Sequence, residues 1–111
     1  MATDSMTRRQ GRFLSYEYHA EIADGVTGPS VILPPMGSNG ARTNCTINLS
    51  SSTGKFQYTS SSEEDVLDDT ANWYDWDKGE VTESTSDALT VPVMALRGVS
   101  ISGTITIDIM I

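Results

Sequence analysis

From Thr104 to Ile111 the chain alternates without a break: Ile105, Ile107, Ile109 and Ile111 take one side, Thr104, Thr106, Asp108 and Met110 the other. Period two with a β-branched apolar face is a half-buried strand, because successive side chains of an extended backbone leave opposite faces of a sheet. Four isoleucines in a row need an apolar surface to cover them. No window of a dozen residues repeats its apolar positions at helical spacing, so the cover is expected to be a second sheet.

The rest of the chain supplies strands for it. Leu14, Tyr16, Tyr18, Ala20 and Ile22 alternate with Ser15, Glu17, His19 and Glu21. Thr43 to Leu49 alternates as cleanly, and Lys55 to Ser60 puts Phe56 and Tyr58 on one face, so the turn from Ser50 to Gly54 predicts a hairpin. Val31-Ile32-Leu33 is a short apolar run ended by Pro34-Pro35, and Asp24-Gly25, Gly28-Pro29 and Asn39-Gly40 mark turns. Val81 opens a further strand. Leu89 to Val99 reads as a central strand, with Pro92 confining its first part to an edge or bulge. About seven or eight short strands at roughly 8–12-residue spacing predict an all-β, single-domain antiparallel β-sandwich, jelly-roll-like.

A chain of 111 residues has room for one such domain. The sandwich is expected over 13–111. Residues 1–12 precede any apolar patterning and carry Arg8, Arg9 and Arg12, three of the seven basic residues. They read as an extended arm, either a frayed terminus or a segment that orders against an acidic partner. The net charge of −8 sets the body of the fold against nucleic acid and anionic membranes as partners. No apolar stretch is long enough to span a bilayer, and Met1 to Gly11 lacks the apolar centre of a secretory signal, so synthesis in a cytoplasm is expected.

The residue types that carry catalysis are sparse. His19 is the one histidine and falls on the polar side of its strand; Cys45 is the one cysteine and falls on the apolar side. One of each fills neither a nucleophile–base pair with its orienting third group nor a tetrahedral zinc site, so no enzyme, cofactor or metal centre is expected. Ten of the fifteen acids lie between Glu63 and Asp87, with Lys78 the one base among them. Such a run suits a solvated or partner-facing surface better than a calcium loop, whose spacing and sharp-turn glycine are missing. Val66 and Leu67 interrupt the acids, so one turn of helix over Glu63 to Asp69 fits as well as a loop. Trp73 and Trp76 are three apart and would face opposite sides of a strand. Each is a candidate for the core, for an interface anchor or for a sugar-stacking platform.

The segment Trp73-Tyr74-Asp75-Trp76-Asp77-Lys78-Gly79-Glu80-Val81, then Thr85-Ser86-Asp87-Ala88-Leu89 and Pro92-Val93-Met94-Ala95-Leu96-Arg97, resembles a recurring pattern of small phage virion proteins. Their pattern is W-x-D-W-x-x-G-x-V, T-x-D-A-L and P-V-x-A-L-R before a closing strand. Length and N-terminal half resemble, more narrowly, the capsid decoration proteins of short-tailed phages of the epsilon-fifteen kind. That resemblance implies a jelly-roll-like staple that clamps neighbouring copies of the major capsid protein from outside the virion, as a homodimer and without an active site. Arg8, Arg9 and Arg12, with Trp73 and Trp76, are then the candidate partner-binding residues. A head–tail adaptor or tail component, and a carbohydrate-binding β-sandwich, are the rival expectations.

Overall fold

A computed structural model describes residues 3–9, 15–33, 43–89 and 93–110. Its elements are β1 (Thr3–Ser5), β2 (Thr7–Arg9), β3 (Ser15–Ile22), β4 (Ser30–Ile32), β5 (Thr43–Asn48), β6 (Thr53–Thr59), α1 (Glu63–Leu67), β7 (Tyr74–Asp75), β8 (Thr85–Leu89), β9 (Ala95–Ser102) and β10 (Ile105–Met110). They form two five-stranded sheets, ordered β1-β4-β9-β6-β7 and β2-β3-β10-β5-β8. All pairings between these strands are antiparallel except β1 with β4. The fold is an all-β sandwich, as the alternating strands predict.

The order is that of a jelly roll. Taken without β1 and β2, the sheets read β3-β10-β5-β8 and β4-β9-β6-β7, two interleaved Greek keys. Among these eight strands, only the β6–β7 connection joins neighbours in one sheet; the others cross between sheets. This corrects the expected hairpin between Thr43–Leu49 and Lys55–Ser60, because β5 and β6 lie in opposite sheets. Alternation fixes which face of a strand is buried; it does not name the neighbouring strand. Ser51, at φ 57°, reverses the chain at the crossing, and the Ser52 hydroxyl accepts from the Ser50 amide at 3.3 Å.

Two other expectations change. The single strand over Leu89–Val99 is two elements, with Leu89 closing β8 in one sheet and Ala95 opening β9 in the other. Pro92, which cannot donate to a ladder, lies between them and outside the described residues. Val81 makes one bridge, to Gly54, in place of a strand. The turn of helix over Glu63 to Asp69 is present as α1: the Ser62 hydroxyl accepts from the Asp65 amide at 3.2 Å, and three acids occupy the first turn. Carboxylates favour that position because the helix N-terminus carries partial positive charge.

Between the sheets, Ile105, Ile107 and Ile109 are 0–1% exposed, together with Cys45 and Ile47 from β5 and Phe56 and Leu96 from the facing sheet. The facing sheet makes room with glycine. A methyl at Gly98 would sit 2.9 Å from Ile107 Cγ2, and one at Gly54 would sit 3.0 Å from Ile105 Cδ1. The isoleucine row of β10 thus seats in hollows where β6 and β9 lack side chains.

Residues 3–9, expected as an arm outside the sandwich, contribute a strand to each sheet. β1 extends the β4 edge and β2 the β3 edge. Met6 crosses between them and packs on the core, and the Tyr18 hydroxyl donates to Asp4 Oδ2 at 2.5 Å. Composition hid this. Three-residue strands are too short to show a period, yet their backbone groups satisfy two sheet edges.

Candidate functional site

The residues Gln57, Asp75 and Arg97 meet on the outer face of the β1-β4-β9-β6-β7 sheet, because they are register partners: Gln57 pairs with Arg97 on one side and with Asp75 on the other. Arg97 Nε donates to Gln57 Oε1 at 2.8 Å, and Gln57 Nε2 donates to Asp75 Oδ1 at 3.0 Å. Lys55 completes the row, its Nζ 3.0 Å from Asp75 Oδ1. The hydrogen bonds from Gln57 and Lys55 hold the Asp75 carboxyl below its ordinary range. Trp73 lies beneath the other end, its ring centroid 4.2 Å from the Arg97 guanidinium carbon. Burial lowers the guanidinium's affinity for its proton, and the nearby Asp69 carboxylate opposes that. The result is a half-buried cation stacked on a half-buried indole and held by the Gln57 amide, which is itself held by the Asp75 carboxylate.

Trp76 is a different case. It is 2% exposed, its ring meets Phe56 edge-on at 5.0 Å, and its indole N–H donates to the Gly79 carbonyl at 2.7 Å. Its place among the partner-binding candidates is therefore corrected: a ring spent on the core offers no face to a partner. The difference follows from parity, since Trp73 and Trp76 fall on opposite sides of β7.

The motif around them has a structural job at each fixed position. Trp76 plugs the core, Gly79 adopts φ 60° at the end of the turn, and Val81 exchanges both backbone hydrogen bonds with Gly54, at 2.8 and 3.1 Å. Thr85–Leu89 is β8; Ala95 and Leu96 are fully buried in β9, and the next residue is the Arg97 that caps Trp73. The first and third blocks of the pattern thus meet through Trp73 and Arg97. Sequence reading had no route to that pair, because they lie far apart in the chain and come together only through the β6–β9 register.

The remaining candidates fall elsewhere. Arg8 and Arg9 lie on β2, at the edge of the other sheet, and Arg12 lies outside the described residues. His19 shares Asp108 with Asn48, across three strands of that sheet's exposed face; the Asn48 amide donates at 3.0 Å. Cys45 is fully buried, and burial, with the Asp87 carboxylate beside it, pushes its thiol up to about 12. Among the described residues, no three His, Cys, Asp or Glu side chains converge where a metal ion would be held, and no helix is long and apolar enough to cross a membrane.

No protein-family model matches the chain, and no curated protein is significantly similar to it.

Proposed function

We propose that this protein is a phage capsid decoration protein, a staple that binds neighbouring copies of the major capsid protein from outside the shell and stabilises it. The observation that carries the reading is the Trp73–Arg97 pair on the outer face of the sandwich. Trp and Arg dominate the binding energy of protein interfaces, and side chains already braced in place lose little entropy on docking. The jelly roll is a fold of viral capsid components, and the W-x-D-W-x-x-G-x-V, T-x-D-A-L and P-V-x-A-L-R blocks resemble those of phage virion proteins. A net charge of −8 keeps the body away from packaged nucleic acid, which suits the outer surface. A shell repeats one contact many times, so a modest interface gains by multivalency, and binding the assembled state alone stabilises it by mass action. The reading assigns no catalytic step, no cofactor and no nucleic-acid or membrane partner; a second copy of the chain is the other partner.

The sugar-binding alternative is disfavoured by the same pair, since the guanidinium covers one face of the Trp73 ring that a pyranose would need. An adaptor role differs in stoichiometry, a ring's worth of copies per particle against hundreds.

The test is rebinding to purified expanded shells that lack the protein. Wild type is expected to rebind in hundreds of copies and to raise the temperature at which shells rupture. Trp73→Ala and Arg97→Ala are expected to bind about tenfold more weakly or worse while melting as folded proteins. Trp76→Ala is expected to lose about 3–5 kcal/mol of stability through its cavity. Failure of the wild type to rebind would overturn the proposal.

A further inference from the structure

The eight strands β3–β10 make both sheets of the jelly roll, so residues 3–9 are an addition to a complete roll. They occupy the side where β3 and β4 would otherwise present open edges. Their attachments are of three kinds: a three-residue parallel ladder on β4, a three-residue antiparallel ladder on β3, and two side-chain anchors, Met6 in the gap between sheets and Asp4 on the Tyr18 hydroxyl. Releasing them breaks no ladder within the roll. It leaves a slot of fixed chemistry, two strand edges flanking an apolar notch with a tyrosine hydroxyl inside.

We propose that residues 3–9 are an exchangeable strap, which seats in the same slot of a second copy of this chain and interlocks the two. A slot that accepts its own strap accepts an identical one without any new contact, the low-cost route to a dimer by element exchange. What opposes exchange is the tether. The covalent connection from Arg9 to Ser15 of the same chain keeps its own strap at an effective concentration of about a millimolar, so exchange populates where protein concentration reaches that level, as in any dense array of copies. The same tether limits the geometry, placing the Ser15 ends of the two β3 strands within about 25 Å of each other. The inference does not rest on the capsid reading; it needs only the protein.

Thr7 and Glu17 are ladder partners between β2 and β3, and opposed antiparallel positions have the Cα spacing a disulfide requires. A chain with Thr7→Cys and a chain with Glu17→Cys, mixed, warmed briefly, cooled and oxidised, are expected to give a covalent heterodimer. Its yield should rise from a trace at about 10 µM to a major product at about 1 mM. Cys45 is buried and does not compete. The double variant Thr7→Cys/Glu17→Cys should close within one chain when dilute, which checks the register. Exchange is overturned if the double variant closes while the mixture yields no heterodimer at about 1 mM, or if the mixture yields chiefly Thr7→Cys homodimer, the mark of edge-to-edge contact.

Discussion

Cys45 couples stability to alkaline pH. Its thiol stays protonated in the folded state up to about 12, against an ordinary value of 9.0, chiefly because it is buried. Above pH 9 the unfolded chain releases a proton that the folded chain keeps, so stability is complete below that point and falls as pH rises towards 12. The slope approaches about 1.4 kcal/mol per pH unit for one such group. Tyr18, raised by burial and by its bond to Asp4, adds to the fall above its ordinary 10.0. Urea midpoints measured from pH 8 to 11 should decline, and Cys45→Ala should flatten the first part of that decline. Gly98 is the second residue with a defined cost. Gly98→Ala drives a methyl to 2.9 Å from Ile107 Cγ2 in the centre of the core, and overpacking of this kind is expected to cost about 1–2 kcal/mol by chemical denaturation. Of these two roles, the burial of Cys45 was legible from its parity in an alternating strand. The glycine hollows were not, since a glycine in a strand gives no sign of which isoleucine leans on it.

At the scale of elements, the edges decide how the protein meets its own copies. β8 ends one sheet, and Asp87 on it pairs with Cys45, so a carboxylate points towards the core side of an edge strand. An inward charge at an edge is a device against pairing with another strand, because a neighbour that docks there must desolvate it. Asp87→Val should therefore raise self-association, read as a larger sedimenting fraction at matched concentration, and should also ease the upward pressure on the Cys45 thiol. Elements with a long, clean period, β3, β5 and β10, were readable from sequence. β1, β2 and β7 were not, since two or three residues carry no period and exist only because longer strands offer them an edge. Trp73 illustrates the same limit at the site. Its residue type marked it as a candidate, while its partner Arg97 depended on the register between β6 and β9.

For the whole molecule, class was legible and wiring was not. Alternation, turn dipeptides and the lack of helical spacing define two apolar sheet faces that must meet. The choice between a hairpin and a crossing after Asn48 depends on which partner β10 leaves free, a question of the assembled sheet. β10 sits between β3 and β5, with its register fixed on both sides. The strand that most constrained the reading is also the keystone of the wiring.

That placement governs when the protein can exist. Sheet β2-β3-β10-β5-β8 is in two halves until residues 105–110 arrive, so a chain emerging from the ribosome has no native sandwich to form until its last described strand is out. Pairings so distant in sequence give a high relative contact order, and such chains fold in milliseconds to seconds, far more slowly than helical bundles. Stopped-flow refolding is expected to fall in that range. Nascent chains stalled before residue 105 should remain protease-sensitive, because β3 and β5 have no strand between them until then.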